Sequence, residues 1–349
     1  MSIGWGVVGA GGIADRRTIP EGIIPARNGT LEAIMEPVPD RLAELRVKYA
    51  DAAPCETLDE LLARDGVEAV YIASPPKFHA EQTIAAARAG RHVLVEKPMA
   101  MTTAECEQMV AACDAAGVKL GVGFMMRYHA CHRRIQRMLA DGLLGTPVMG
   151  RAELTCWYPP MEGAFRQIPA EGGGGAFMDM GNHCIDLLEM LLGRTTEIAL
   201  LTANRVQDYE AEDTSVATLR FESGAVGIID AHFNIPDAAS RNMLEVYGSM
   251  GSVTTQGTIG QMSTGTIHAL LQEEAAGYDA QQEREPSVNE QVIEPEPVNM
   301  YQGQIEDMGE AVAEGRAPGV SGEDGLWNHR VVLAAYEAAK TGKVVRLEQ

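Results

Sequence analysis

The chain has 349 residues, 46% hydrophobic and 22% charged, which suits two domains of globular composition and excludes a disordered or fibrous protein. Lys and Arg number 28 against 49 Asp and Glu, a formal net charge of −21 that repels phosphate backbones and anionic lipid. Neither nucleic acid nor a membrane is therefore an expected partner, and the substrate should be small and not polyanionic.

Met1 leads straight into the apolar run Ile3–Val8, with no basic segment before it and no cleavage site after it, and no apolar run is long enough to span a bilayer. Cys55, Cys106, Cys113, Cys131, Cys156 and Cys184 stand at irregular spacings without a C-x-x-C pair. They read as reduced, mostly buried thiols, and the cytoplasm is the expected location.

Up to about residue 123 one unit repeats: apolar strand, polar or Gly-rich turn, helix. Strands are predicted at Ile3–Val8, 31–35, 69–73, His92–Val95 and 119–123, with helical spacing over 78–89 and Thr103–Ala116. Thr57, with Glu60 three residues on, marks another helix start. Wholly apolar strands separated by helices indicate a parallel sheet covered on both faces, the doubly wound α/β arrangement.

Gly9-Ala10-Gly11-Gly12-Ile13-Ala14 follows the first strand and opens a helix, matching G-x-G-x-x-G/A. Such glycines permit a tight turn and close approach of a pyrophosphate, which the helix N-terminus then holds. The alternative is a plain structural turn. The acidic residue about twenty positions later is Glu36. A carboxylate there accepts from a ribose 2′-OH and repels a 2′-phosphate, so NAD is favoured. Arg41, the nearest cation, leaves NADP open.

Strand 92–95 ends in Glu96-Lys97-Pro98. Open α/β sheets bind ligands beyond the carboxyl ends of their strands, so Lys97 is placed to donate to a reacting oxygen. An ordinary Glu–Lys surface pair explains the segment equally well.

Beyond residue 123 the rhythm changes. A helix is predicted over 133–144. The glycine run Gly172 to Gly175 leads into a second over 176–192, closed by Gly193. Strands at 198–206, Thr214–Phe221, 225–233, 242–247 and 252–255 then follow with turns alone between them, which predicts an α+β domain with a large, open, mostly antiparallel sheet. Its free face, with apolar Val216, Leu219, Val226 and Ile228, is expected to join subunits into a homodimer or homotetramer. Asp179, His183 and Asp186 at i, i+4 and i+7 share a helical face in an otherwise apolar stretch. A general base oriented by carboxylates, a satisfied core histidine and a shared metal ion all fit, although no further ligand stands at metal spacing. The stretch 273–296, with eight acidic residues against Arg284, is expected to be a solvated hairpin or loop.

Together these landmarks resemble the Gfo/Idh/MocA group of sugar and polyol oxidoreductases. The likeness rests on the glycine loop, Ile72-Ala73-Ser74-Pro75-Pro76-Lys77-Phe78-His79, Glu96-Lys97-Pro98, residues 121–127 and the run from Gly173 through Asp179 to His183. The resemblance implies a Rossmann domain over 1–123 and a substrate and oligomerisation domain over 124–349. It implies Lys97, Asp179 and His183 as the catalytic set; Ser74, Pro75 and His79, which follow the third parallel strand, are expected at the cofactor site together with Glu96, Lys97 and Arg127. Tyr158-Pro159-Pro160, Phe165-Arg166 and Gly322-Glu323-Asp324-Gly325-Leu326-Trp327 are similar to the 1,5-anhydrofructose reductases, which implies Arg166 as a substrate ligand. That subgroup prefers NADPH and carries small hydroxyl residues where this chain has Glu36-Pro37.

The expected reaction moves a hydride between a nicotinamide and a neutral sugar, sugar derivative or cyclic polyol. His183 handles the hydroxyl proton, Lys97 holds the oxygen and Asp179 orients them. Trp157 either faces the C–H side of the sugar or belongs to the core, and His79 either lines the cofactor or caps a helix. Two other readings remain: a glycosidase working through transient oxidation by bound NAD, and a non-enzymatic NAD-sensing regulator.

Overall fold

Successive residues of the first strands bury into two different apolar layers. Trp5, Val7, Tyr71 and Leu94 pack in one, Val8, Val70, Ile72, Val93 and Val95 in the other. A strand with both faces covered is apolar throughout, as the sequence is here. The computed structural model, which describes residues 2–273, 280 and 288–348, divides into two units. One takes residues 1–128, 168–173 and 299–330; the other takes 129–167, 174–298 and 331–349.

In the first unit β1 (Ile3–Val8), β2 (Gly29–Met35), β3 (Ala53–Cys55), β4 (Ala69–Ile72), β5 (His92–Val95) and β6 (Leu120–Val122) form a parallel sheet in the order β3-β2-β1-β4-β5-β6. This is the doubly wound dinucleotide-binding order, whose strand order reverses between β1 and β4. Helices at His79–Arg88 and Thr103–Ala116 lie within a residue of expectation. The second opens on a capping box, Thr102 accepting from the Glu105 N–H at 3.2 Å and the Glu105 carboxylate accepting from the Thr102 N–H at 2.9 Å. The helix after the glycine loop, Ala14–Ile23, is wider than an α-helix and contains Pro20.

The second unit holds a nine-stranded sheet: β7 (Pro147–Thr155), β8 (Thr195–Ala203), β9 (Thr214–Phe221), β10 (Val226–His232), β11 (Leu244–Gly248), β12 (Gly251–Gln256), β13 (Thr266–Gln272), β14 (Val288–Ile293) and β15 (Val345–Arg346). It is antiparallel except where β7 pairs with β10. The helix Asn182–Leu192 lies so close over one face that a Cβ at Gly150 would be 2.7 Å from Leu192. The helix predicted over 133–144 spans Ala130–Ala140, with His129 Nδ1 accepting from the Cys131 N–H at 3.1 Å to start it. β8 stops at Ala203, short of the predicted 206, because Asp213 draws the N–H groups of Arg205, Val206 and Gln207 out of the ladder at 2.7–2.8 Å.

One sequence expectation is corrected. Leu219 is 4% exposed and faces the helices, opposite Gly227, whereas Val216, Val226 and Ile228 lie on the other face. Residues 216 and 219 are an odd number apart, and side chains alternate along a strand. Of the acidic stretch 273–296, residues 274–279 and 281–287 lie outside the described residues.

Candidate active site

Gly9 follows β1 with φ of 81°, and a Cβ there would stand 2.7 Å from the Ser74 nitrogen, so only glycine lets the turn after β1 and the loop after β4 meet. A Cβ at Gly12 would meet nothing within 4 Å, and one at Gly11 only Glu36 Oε2 at 3.6 Å. The backbone of this turn is thus open to a ligand, with Ile13 and the buried Ala14 carrying it into the helix. Glu36 is 6% exposed, and its Oε1 accepts from the Val38 N–H at 3.2 Å. Arg41 is turned away to Asp15 and to Glu44, the latter at 2.7 Å. Lys48 and the Tyr49 hydroxyl also donate to Asp15, at 2.7 and 2.8 Å. Burial pushes the Asp15 carboxyl up, but the donors Lys48, Tyr49 and Arg41 together hold it below the usual range.

Beyond β4, Ser74 Oγ donates to Gln82 at 2.6 Å and Pro75 opens a short turn. His79 is 1% exposed, its ring nitrogens 2.8 Å from the Ser74 carbonyl and 3.0 Å from that of Pro98. It therefore joins the loops after β4 and β5, and burial lowers its pKa. Lys97 is partly exposed, precedes Pro98 through a cis peptide and donates its N–H to Glu96 Oε2 at 3.2 Å. The buried Glu96 also accepts from the Tyr71 hydroxyl, which accepts in turn from Thr18 Oγ1 at 2.9 Å. Arg127 Nη1 donates to the Gly319 carbonyl at 3.3 Å and lies 3.7 Å from Asp324.

In the second unit Arg166 Nε donates to Asp179 Oδ1 at 2.7 Å, with the guanidinium 4.5 Å over the Phe165 ring. Burial opposes the guanidinium charge, but Asp179 and the Tyr158 hydroxyl outweigh it and raise the Arg166 pKa. The Arg166 and Asp179 side chains are 34% and 20% exposed, while His183 and Asp186 are buried. Asp179 belongs to a wide turn, Phe177–Gly181, that precedes the α-helix carrying His183 and Asp186. Trp157 is 42% exposed, so its indole is not in the core. Among the described residues no group of three or more His, Cys, Asp or Glu is placed to hold a metal ion.

Sequence reasoning missed Thr18 and Tyr71 at these sites, and noted Tyr158 only as part of a likeness, without its contact with Arg166. A tyrosine within Ala69–Ile72 was the available signal, because a buried phenol requires a partner.

Residues 3–124 match the oxidoreductase family with an NAD-binding Rossmann fold, and residues 132–254 match the GFO/IDH/MocA C-terminal domain. The chain is 30% identical over 346 residues to 1,5-anhydro-D-fructose reductase of Ensifer adhaerens, covering 99% of this chain and 98% of that one. The chain belongs to the Gfo/Idh/MocA oxidoreductase family. It is also 27% identical over 349 residues to myo-inositol 2-dehydrogenase of Thermotoga maritima, covering 99% and 98%. An aldose–aldose oxidoreductase from Caulobacter crescentus, solved with glycerol, superposes with a TM-score of 0.88 at 28% identity, covering 99% of this chain and all of that one.

This chain is therefore an enzyme of an NAD(P)-binding oxidoreductase family whose members include proteins acting on sugars and inositol. The glycine loop fits that coenzyme. Gly11 and Gly12 leave their backbone uncovered at the start of a helix, and Glu36 lies beside the turn.

Proposed function

We propose that this enzyme transfers hydride between NAD and a CH–OH group of a neutral sugar, sugar derivative or cyclic polyol. The observation that carries the substrate class is the partly exposed Arg166–Asp179 pair. A charged donor and a charged acceptor, mutually oriented, suit uncharged hydroxyls that donate and accept at once. The exposed indole of Trp157 supplies the apolar surface that the C–H face of a sugar ring requires.

When bound, the coenzyme supplies the hydride acceptor or donor at its nicotinamide ring. Lys97 donates a hydrogen bond to the substrate oxygen and offsets the negative charge that develops on it. His183 takes the hydroxyl proton in oxidation and returns it in reduction. Asp179, fixed by Arg166, orients the substrate against them. Ser74, Pro75, Glu96 and Arg127 complete the coenzyme side, with His79 bracing the loops that carry Ser74 and Lys97. NAD is preferred over NADP because Glu36 lies beside the glycine turn while Asp15 and Glu44 occupy Arg41. We place the enzyme in the cytoplasm, where its free cysteines stay reduced. Subunits join through the free face of the nine-stranded sheet.

The test is a nicotinamide-fluorescence screen, following NADH formed from myo-inositol, D-xylose and other neutral sugars and NADH consumed with 1,5-anhydro-D-fructose. Turnover on at least one of them is expected. Coenzyme binding without turnover on any neutral sugar or polyol would overturn the substrate class.

A further inference from the structure

The first turn of any helix presents N–H groups with no partner inside it. In the turn that carries Asp179, two residues from elsewhere satisfy four of these in succession. The Gly175 N–H donates to Glu212 Oε2 at 2.9 Å and the Phe177 N–H to Glu212 Oε1 at 3.0 Å. The Ala176 N–H donates to the Glu212 carbonyl at 3.0 Å, and the Met178 N–H to the Tyr336 hydroxyl at 3.1 Å. That hydroxyl donates in turn to Glu212 Oε1 at 2.7 Å. The next N–H, that of Asp179, makes the first bond inside the turn, to the Gly175 carbonyl at 3.0 Å.

The fit is close enough to dictate sequence. A Cβ at Gly174 would stand 2.2 Å from the Tyr336 hydroxyl, and one at Gly175 would stand 2.1 Å from the Glu212 carbonyl. Gly174 and Gly175 are therefore the imprint of these two residues.

We propose that Glu212, braced by the Tyr336 hydroxyl, is a positioning residue for the reaction: it fixes the depth and rotation at which Asp179 meets Arg166 and substrate. This rests on the assignment of Asp179 to the substrate site. The carboxylate holds the N–H groups on either side of Ala176, and Asp179 follows Phe177 by two residues. A shift of this cap displaces Asp179 directly, and a displacement of about 1 Å at a reacting group costs on the order of 10²-fold.

Glu212→Gln keeps one acceptor but turns an amide N–H toward a backbone N–H, which forces the turn to move. With whichever sugar or polyol the screen identifies, Glu212→Gln should lower kcat by about 10–100-fold with little change in coenzyme dissociation constant. A double-mutant cycle with Asp179→Asn gives the decisive reading. If Glu212 acts through Asp179, the double variant loses no more than Asp179→Asn alone; a purely structural role multiplies the two losses. Multiplied losses, or a folded Glu212→Gln enzyme with normal kcat, overturn the proposal. Should Glu212→Gln fail to fold, Tyr336→Phe, which keeps the carboxylate, must show the same non-additivity, and additive losses there overturn the proposal. Normal turnover in Asp179→Asn would remove the substrate-site assignment itself. A crippled Asp179→Asn beside an intact Glu212→Gln would remove only the positioning role.

Discussion

Lys97 is partly exposed at the end of a buried strand whereas His183 is enclosed, and that contrast sets what each substitution should do. Lys97→Met removes a charge without opening the core, so turnover should fall by about 10²–10⁴-fold while the melting temperature holds. His183→Ala should lower turnover comparably and also cost stability, since it empties a buried site. Neither should shift the coenzyme dissociation constant far, because the pyrophosphate is assigned to the glycine turn and not to either side chain. Near-normal turnover in folded forms of both variants would return the two residues to a structural role. Coenzyme choice is decided at the same scale. NAD should exceed NADP in kcat/KM. Glu36→Ser should narrow the gap without inverting it, because Arg41 stays bound to Asp15 and Glu44. Initial-rate kinetics with each coenzyme measure this, and an outright NADP preference in the wild type would show that Arg41 leaves Asp15.

At the scale of the element, Gly9 and Gly12 belong to one motif yet do different work. Gly9→Ala should destabilise the fold, since its φ is 81° and its Cβ would strike the Ser74 backbone at 2.7 Å. Gly12→Ala should melt normally and bind NAD weakly, because its Cβ would enter the open side of the turn. Paired melting and binding measurements separate the two, and equal behaviour would refute the distinction. The turn after β8 makes a pH prediction. Burial raises the Asp213 pKa, but hydrogen bonds from the Gln207, Val206 and Arg205 N–H groups and from Thr214 hold it down at about 2. A carboxyl depressed in the fold stabilises it above its unfolded pKa, and loses that contribution as pH falls through the folded value. Asp213 should therefore account for about 2 kcal/mol of the stability lost between about pH 4 and pH 2, and Asp213→Asn should lack that component, as denaturant titrations of both proteins at each pH will test. These elements also mark how far the sequence could be read. Five of the six parallel strands were legible because burial on both faces leaves continuous apolar runs, and the glycine loop because it matches G-x-G-x-x-G/A; the short edge strand Ala53–Cys55, with Pro54 exposed, leaves no such run. The cap on the Asp179 turn was not legible either. Glu212 and Tyr336 lie 37 and 158 residues from the groups they hold, so no local period encodes them. The glycine run was visible, but its cause was not. The spacing of Asp179, His183 and Asp186 implied one face of a regular helix, whereas Asp179 lies in the wide turn Phe177–Gly181 and His183 and Asp186 in the α-helix that follows it.

Across the nine-stranded sheet, backbone pairing places Val226 beside Met149 and Met149 beside Tyr247, with Leu201 beside Val216 in a second row. Leu201 is 79% exposed, Val226 41%, Tyr247 37% and Val216 36%, so one face of five adjacent strands carries apolar side chains that the described residues leave exposed. Between the rows Arg151 holds Asp230 at 2.9 Å and lies 3.8 Å from Glu153, which leaves the face mixed rather than greasy. A two-fold pairing of such faces buries each apolar row against the other subunit without needing a second kind of surface. A dimer or tetramer is therefore expected at micromolar concentration. The net charge of −21 on each chain opposes that association over long range, so raising ionic strength should strengthen it, opposite to an interface built on ion pairs. Val226→Asp places a carboxylate in the middle of a row that has Arg220 on one side and Met149 on the other, and should shift the protein toward monomer. Light scattering at low and high salt tests both statements. A wild type that is monomeric at every salt concentration would show that this face meets only water, and a Val226→Asp variant that keeps the wild-type mass would place the interface elsewhere.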